Sequence, residues 1–329
     1  MFNRRVLVAA LAPLALLACS PEASKPQEQV LRFSILSTEN TANQTQKWKP
    51  FLDDMAKETG LKIEPFYASN YTSLIEAMRF KQTDAGWFSN QSGMEAVRRG
   101  GGEVFAKSTH PGGKQGYNAL IITRRGSGVT LDKLLACGKR YSFGMGDAKS
   151  TSGTLAPLTY LFGPRDIDPQ VCFSNLRSAK HEANLLSVAN GLLDAATYNT
   201  NDVERMQRRH DPKADAVLEQ IEVLWTSPKL PEDPIVWRKD LDPEIKAKLK
   251  SFMLGYGVGD DADADRERKV LTDLNFGVFQ QANDDHLIPV REMEAAANLL
   301  EARRKGDAAA AEAARKAMTE LSARRGGAL

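Results

Sequence analysis

The stretch YSFGMGDAKSTSGTLAPLTYLF, residues 141–162, reads as a buried strand, a polar loop and an apolar-periodic helix in direct succession. The same alternation recurs along the chain, with strands predicted at 31–38, 62–69, 117–124, 171–177 and 195–199 and helices at 47–60, 71–82, 131–137 and 181–194. This order predicts an α/β fold with two open, parallel sheets. Such sheets bind ligands at the carboxyl ends of their strands, which is where the polar loop falls.

Three consecutive hydroxyl side chains, Ser150, Thr151 and Ser152, stand at the start of the helix in this stretch. A helix N-terminus offers unpaired N–H groups and a positive dipole end, hydroxyls add donors, and Gly153 permits close backbone approach. These features together predict an anion site. The alternative is that Ser152 caps the helix and the other two hydroxyls are solvated.

A histidine falls on the same predicted sheet edge. His181 follows the strand at 171–177 and opens the helix at 181–194, so it is placed to donate to the same anion. The alternative is a helix-start residue with no ligand.

The chain begins with a leader-like segment. Residues 1–18 carry two arginines ahead of an apolar run too short to span a bilayer, and LLAC at 16–19 resembles a bacterial lipoprotein box. In that pattern Cys19 receives lipid, and the polar residues 19–29 form a tether. The sequence therefore predicts an exported protein anchored to the membrane by acyl chains alone, facing the periplasm. A plain secretory signal with an incidental cysteine is the alternative.

The composition excludes several classes of function. Without the two leader arginines, the 44 basic residues become 42 and balance the 42 acidic ones, which argues against a nucleic-acid partner. The three cysteines and four histidines show no metal-ligand spacing, so neither a metal nor a cofactor is expected. A length of 329 residues allows one large or two medium domains.

Seven segments of the chain resemble the phosphonate-binding proteins of bacterial ABC importers, in order and nearly throughout to residue 291. They are ILSTEN (35–40), YTSLIEAMRFKQTDAGWFSNQSGMEAV (71–97), GYNALIIT (116–123), FGMGDAKSTSG (143–153), HEANLLSVANGLLDAATYNT (181–200), SPKLPEDPIVWRKDL (227–241) and LIPVR (287–291). The hydroxyl run, the His-Glu pair and DPIVWRK are specific in combination, and each is weak alone.

This resemblance implies a two-lobed, type II periplasmic-binding-protein fold, with the ligand cleft between lobes joined by two crossing strands. Lobe one is expected over 30–122 plus 235–290, and lobe two over 123–234. The crossings are expected near 122–126 and 227–235.

The resemblance also implies a role for each residue at the cleft. In the family a hydroxyl run and a histidine hold the phosphonate oxygens, which match Ser150, Thr151, Ser152 and His181 here. Two tyrosines and two carboxylates hold the amine of an aminoalkylphosphonate, and their positions are Tyr71, Tyr117, Asp233 and Asn201. Asn201 departs from the family pattern because it replaces a carboxylate with a neutral amide. We therefore expect a narrower preference for the amine.

The expected function is capture of an alkyl- or 2-aminoethylphosphonate and its delivery to an ABC permease with its ATPase. A related oxyanion such as phosphite is an alternative ligand, and a sensing lipoprotein for a signalling partner is an alternative role. A hydrolase using Ser152 and His181 is disfavoured because the chain lacks a GxSxG elbow at that serine.

Two structural features complete the expectations. Cys137 and Cys172 stand at the amino edges of strands that should be neighbours in lobe two and are predicted to form a disulfide, the alternative being two buried free thiols. Residues 291–329 form a C-terminal extension, with helices predicted over 291–325 and broken near Gly306. They are expected either to mediate a homodimer or to fold back onto their own lobe.

Overall fold

The computed structural model of the protein describes residues 29–209 and 211–326. The predicted leader, Cys19 and all but the last residue of the predicted tether lie outside these residues. In the described part of the chain, no helix combines the length and the apolar character needed to cross a membrane.

Strands and helices alternate along the described residues. The strands are β1 (Val30–Ile35), β2 (Lys62–Tyr67), β3 (Ala85–Trp87), β4 (Gly102–Thr109), β5 (Ala119–Arg124), β6 (Ser142–Met145), β7 (Asn175–Ser178), β8 (Ala195–Asn199), β9 (Ile221–Thr226), β10 (Pro234–Arg238) and β11 (Gly277–Gln281). The α-helices are α1 (Thr41–Thr59), α2 (Tyr71–Arg79), α3 (Asn90–Arg99), α4 (Leu131–Leu135), α5 (Pro169–Cys172), α6 (His181–Ala189), α7 (Thr200–Gln207), α8 (Pro212–Glu219), α9 (Pro243–Gly255), α10 (Ala262–Asp273), α11 (Ile288–Lys305) and α12 (Ala308–Gly326).

The strands form two open sheets, one in each lobe. The first lobe contains a six-stranded sheet in the order β11-β4-β10-β3-β1-β2, and the second a five-stranded sheet in the order β7-β6-β8-β5-β9. Both sheets are mixed rather than parallel as predicted, because β10 runs antiparallel to β3 and β4, and β5 runs antiparallel to β8 and β9. An apolar run identifies a buried strand but carries no information on its direction.

The chain crosses between the lobes twice. Strand β5 belongs to the five-stranded sheet, so the first crossing lies at 110–118 and not at the predicted 122–126. The second crossing lies at 227–233, inside the predicted range. The error at the first crossing arises because the buried run of β5 fits either sheet equally well.

The predicted strand at 171–177 divides into a short helix and a strand. Asp168 accepts a hydrogen bond from the Gln170 backbone at 2.9 Å, and Pro169 occupies the first helical position of α5. An Asp-Pro pair of this kind favours a helix start. The strand therefore begins only at Asn175, as β7.

The site-bearing segment of the second lobe is a helix with two π-helical turns, Thr151–Leu155 and Leu158–Phe162, which we call the hydroxyl helix. Phe162 lies edge-on to Phe143 of β6 at 5.7 Å between ring centroids, and Phe173 stacks on Phe143 at 4.5 Å. These aromatic contacts hold the hydroxyl helix against β6. The start of the helix is thereby placed at the carboxyl end of that strand.

The C-terminal residues form a helical hairpin that contacts both lobes. Helix α11 ends at Gly306, whose φ of 70° suits glycine, and α12 packs back on α11 with Ala311 and Ala314 buried. Towards the first lobe, Glu294 pairs with Arg98 at 3.0 Å. Towards the second lobe, Thr159 donates to the Met293 carbonyl at 3.1 Å. The hairpin therefore spans the cleft on its outer side.

Cys137 and Cys172 are joined by a disulfide. Cys137 lies two residues beyond the end of α4 and precedes β6. Cys172 is the last residue of α5 and precedes β7. Since β6 and β7 are parallel neighbours, the disulfide fastens the two connections that enter one edge of the second sheet.

We expect the Cys137→Ser/Cys172→Ser variant to lose about 3–4 kcal/mol in free energy of unfolding, the chain-entropy value for a loop of this length. The two cysteines are 35 residues apart in sequence. Urea unfolding of the oxidised wild type, the reduced wild type and the variant measures the loss. The reduced wild type should match the variant, and equal stability of all three samples would contradict the prediction.

Candidate functional site

The two lobes enclose a small polar cavity. Within this cavity, the centre of a water-sized sphere can occupy a volume of about 20 Å³. A site of this size suits only a small molecule. Of the eight ligand-binding residues predicted from the sequence, seven line this cavity: Tyr71, Tyr117, Ser150, Ser152, His181, Asn201 and Asp233. The cavity also contains residues that the sequence reasoning did not select: Thr38, Ser89, Ser108, Asn199, Asp202 and Arg205.

One end of the cavity gathers hydroxyl and imidazole groups. The Nε2 atom of His181 lies 3.3 Å from Ser150 Oγ and 3.5 Å from Ser152 Oγ. Ser150, not Ser152, caps the hydroxyl helix, because its Oγ accepts from the Gly153 N–H at 3.0 Å. Capping occupies an acceptor site of this oxygen and leaves its O–H free to donate to a ligand. These groups together suit an anion at a helix N-terminus.

Thr151 does not line the cavity, contrary to the prediction that all three hydroxyls face the ligand. Its Oγ1 accepts a hydrogen bond from the backbone N–H of Gln91, in the first turn of α3, at 2.8 Å. That N–H is one of the helix N-terminal donors that need a partner from outside the helix. Thr151 therefore joins the two lobes.

Two glycines bring the hydroxyl helix close to the end of β6. The Gly146 N–H donates to the Gly153 carbonyl at 2.8 Å. A Cβ added at Gly146 would lie 2.5 Å from the Gly153 Cα. The helix start can reach its position only because neither residue has a side chain.

His181 is buried, and its Nδ1 has no hydrogen-bond partner among residues 29–209 and 211–326. Burial lowers the pKa of His181 below its ordinary value of 6.5, which favours the neutral imidazole. In the unfolded chain the same side chain takes up a proton at higher pH than it does in the folded protein. The stability that depends on neutral His181 is thus present above about pH 6.5 and is lost as the pH falls toward the folded-state value.

We expect a fall in pH from 7.5 to 5.5 to change the free energy of unfolding of the ligand-free protein less favourably in the wild type than in the His181→Gln variant, because only the wild type contains His181. Urea unfolding at both pH values measures the two differences. His286, whose pKa is also lowered by burial, is present in both proteins and cancels in the comparison. Equal pH dependence in the two proteins would show that His181 does not contribute.

Asp233 brings a carboxylate into the wall of the cavity. Asp233 accepts hydrogen bonds from Trp87 Nε1 at 3.2 Å and from Asn90 Nδ2 at 3.3 Å. Burial, followed by the nearby Glu232 charge, raises the pKa of Asp233 well above its ordinary range. A bound ammonium would offset both effects by supplying an opposite charge. Burial also raises the pKa of Tyr71 and of Tyr117. Both tyrosines are therefore neutral phenols in the cavity wall.

Trp87 is a cavity residue and a core residue at once. Its ring stacks on Trp48 at 5.6 Å between centroids, inside the first-lobe core, while its Nε1 reaches Asp233. Phe88, by contrast, is fully buried in that core. Trp237 stacks on Phe105 of β4 at 3.9 Å between ring centroids and so has a packing role.

An ion pair that the sequence reasoning missed lies beside the cavity. The Asp202 carboxylate pairs with Arg205 and also accepts from Asn199 Nδ2 at 2.6 Å. The Arg205 guanidinium lies 5.6 Å from the centre of the Trp87 ring. The signal available in the sequence was the i, i+3 spacing of opposite charges on one helix. These contacts already hold the Asp202 carboxylate, which lines the same cavity as Asn201.

Asn201 is the second residue of α7 and lines the cavity. Its Nδ2 donates to Glu232 Oε2 at 3.4 Å. Asn201 therefore places a neutral amide in the cavity wall, beside the Glu232 carboxylate.

Polar contacts between the lobes lie on both rims of the cavity. On one rim Lys149 Nζ pairs with Glu95 Oε1 at 2.7 Å, and on the other Arg209 Nη2 pairs with Glu39 Oε2 at 2.7 Å. The backbone N–H of Tyr71 donates to Asp147 across the cleft at 3.0 Å. The lobes are therefore closed around the cavity.

Comparison with known proteins gives three consistent matches. Residues 33–287 match the family model described as "ABC transporter, phosphonate, periplasmic substrate-binding protein". The chain is 38% identical over 275 residues to the phosphonates-binding periplasmic protein of Escherichia coli (strain K12), covering 83% of this chain and 78% of that protein. It is 25% identical over 263 residues to a phosphate-import protein of Mycolicibacterium smegmatis, covering 75% of this chain and 80% of the relative.

Among solved structures, a binding-protein component of an ABC phosphonate transporter from Pseudomonas aeruginosa matches with a TM-score of 0.85 and 37% identity. The match covers 92% of this chain and 99% of that one.

Proposed function

Because this chain belongs to the family of periplasmic substrate-binding proteins of phosphonate ABC transporters, we propose that it captures alkylphosphonates and 2-aminoethylphosphonate and delivers them to an ABC permease with its ATPase. One observation carries the assignment of the binding residues. Hydroxyls at a helix N-terminus, a neutral imidazole, Asp233 and two tyrosines line one cavity, and the Tyr117 side chain hydrogen-bonds with Ser152. This arrangement is complementary to a tetrahedral anion that carries a cationic or short apolar tail.

Calorimetric titration tests this assignment directly. The panel is methylphosphonate, ethylphosphonate, 2-aminoethylphosphonate, phosphite, phosphate and sulfate. We expect the phosphonates to bind at least about tenfold more tightly than the inorganic ions, a difference of roughly 1.4 kcal/mol. Binding of only phosphate or phosphite would instead support the oxyanion alternative, for which the Mycolicibacterium smegmatis relative is a precedent by its name.

Two roles other than transport are alternatives for this protein: a ligand sensor and a hydrolase. A sensing role would leave phosphonate binding intact but would not support uptake, so phosphonate uptake by cells with and without the gene separates the two. A hydrolase role has less support than binding. Within the described residues His181 Nδ1 has no carboxylate to orient it, and Ser152 Oγ lies 3.5 Å from the imidazole.

The membrane anchor and the homodimer are further parts of the proposal. Lipidation of Cys19 would hold the periplasmic protein at the membrane, and Cys19→Ala should release it into the soluble fraction. The predicted dimer through residues 291–329 needs a surface other than Ala311 and Ala314, which the hairpin already buries. Sedimentation velocity measures the oligomeric state.

A further inference from the structure

Besides Asp233, a second carboxylate, that of Glu232, lies behind the cavity wall and contacts the wall residue Asn201. Glu232 is 6% exposed and accepts a hydrogen bond from Asn201 Nδ2 at 3.4 Å. Its other oxygen, Oε1, has no hydrogen-bond partner in the part of the chain that the structure covers. A buried carboxylate with an unpaired oxygen is costly, so its position next to a ligand-facing amide calls for a functional reason.

The hydrogen bond to Glu232 fixes which way the Asn201 amide faces. A carboxylate accepts and cannot donate when ionised, so it selects the amide nitrogen of Asn201. The amide oxygen of Asn201 then faces the cavity, where it can accept a hydrogen bond from the ammonium group of a ligand. The negative charge of Glu232 further polarises the amide in that direction.

Both partners are held from outside the second lobe. The Glu232 carbonyl contacts His286 Nε2 at 2.7 Å, and the Asn201 carbonyl accepts from Asn275 Nδ2 at 3.1 Å. Glu232 itself stands in the second crossing, next to Asp233. The amide is thus oriented by contacts that join α7 to the crossing and to the first lobe.

We propose that Glu232 is a positioning residue that turns the Asn201 oxygen toward the ligand and, together with Asp233, sets the preference for aminoalkylphosphonates over alkylphosphonates. The proposal rests on the proposed function. The favoured ligands are aminoalkylphosphonates, and Glu232, which lies outside the cavity wall, produces the preference for them. Burial raises the pKa of Glu232, while the Asn201 hydrogen bond lowers it. An ammonium on the far side of the amide would favour the ionised carboxylate further.

The test compares 2-aminoethylphosphonate with ethylphosphonate by calorimetry on the full mature protein. We expect Glu232→Gln to weaken 2-aminoethylphosphonate binding about tenfold and to leave ethylphosphonate within about twofold. Asn201→Ala should give the same selective loss. Glu204→Gln is the matched control, because Glu204 is a neighbouring carboxylate that contacts His110 and Lys114 and has no contact with Asn201 among the described residues.

A rescue variant separates positioning from a structural role. In the Glu232→Gln background, Asn201→Glu should restore the preference for the amine by placing a carboxylate in the wall itself. In the wild-type background, Asn201→Glu should gain less, because two adjacent buried carboxylates cannot both ionise easily. Equal losses for both phosphonates in Glu232→Gln and Asn201→Ala, or no loss in either, would overturn the proposal. Failure of the wild type to bind either phosphonate would instead overturn the proposed function, and this proposal with it.

Discussion

We expect joint replacement of Ser150 and Ser152 by alanine to weaken phosphonate binding at least about a hundredfold, with the protein still cooperatively folded. Each hydroxyl is placed to donate a hydrogen bond to an anionic oxygen, and hydrogen bonds to charged groups contribute about 1.5–3 kcal/mol each. Loss of the Ser150 cap costs only about 1 kcal/mol of stability, which is small beside the total for a domain. Calorimetry measures the affinity, and urea unfolding measures the stability.

Thr151→Val is the matched control for this double variant. It keeps the shape of the side chain and removes the oxygen that accepts from the Gln91 N–H in the other lobe. We expect a smaller loss, because closure of the cleft is weakened and the cavity wall stays intact. Wild-type affinity in the double serine variant would show that the anion is held elsewhere.

Gly146→Ala is expected to weaken binding of every phosphonate by at least about tenfold and to lower the free energy of unfolding by about 1–3 kcal/mol, a typical cost of overpacking. The new methyl group would lie 2.5 Å from the Gly153 Cα and 2.9 Å from its carbonyl carbon. Both are backbone atoms, so relief requires that the start of the hydroxyl helix move away from β6. That movement would pull Ser150 and Ser152 from His181.

Gly255→Ala provides the comparison for Gly146→Ala. Gly255 ends α9, and a Cβ added there meets no heavy atom within 4 Å. This variant should bind phosphonates as the wild type does. If Gly146→Ala also kept its affinity within twofold, the close approach of the two glycines would have no part in shaping the site.

Local patterns in the sequence predicted several of the residues that line the cavity. Ser150, Ser152 and His181 each stand where a predicted strand gives way to a predicted helix, and the α/β architecture brings such positions to one edge. The family resemblance supplied Tyr71 and Asp233, because their spacing alone carries no chemical signal. The site could therefore be predicted where residue type and position in a βα unit agreed.

The errors concern contacts between segments that are distant in sequence. Thr151 is chemically suited to the ligand, but its partner is Gln91 in the other lobe, and no local pattern encodes that contact. Glu232 stands in a crossing segment whose path depends on how the lobes meet. The antiparallel direction of β10 was also not predicted, because a buried apolar run fits a sheet in either direction.

The ion pairs on the two rims affect every ligand alike. Lys149 with Glu95, and Arg209 with Glu39, join opposite lobes and must separate when the cleft opens. The protein thus supplies part of the closing free energy itself, and a measured affinity is the intrinsic affinity scaled by the fraction of molecules competent to bind. Stronger pairs would raise the population of closed, empty molecules, which would compete with loaded ones for the permease. The strength of these pairs therefore affects two quantities in opposite ways. Stronger pairs favour ligand capture at low ligand concentration, but they make the closed form a poorer signal to the permease that ligand is bound.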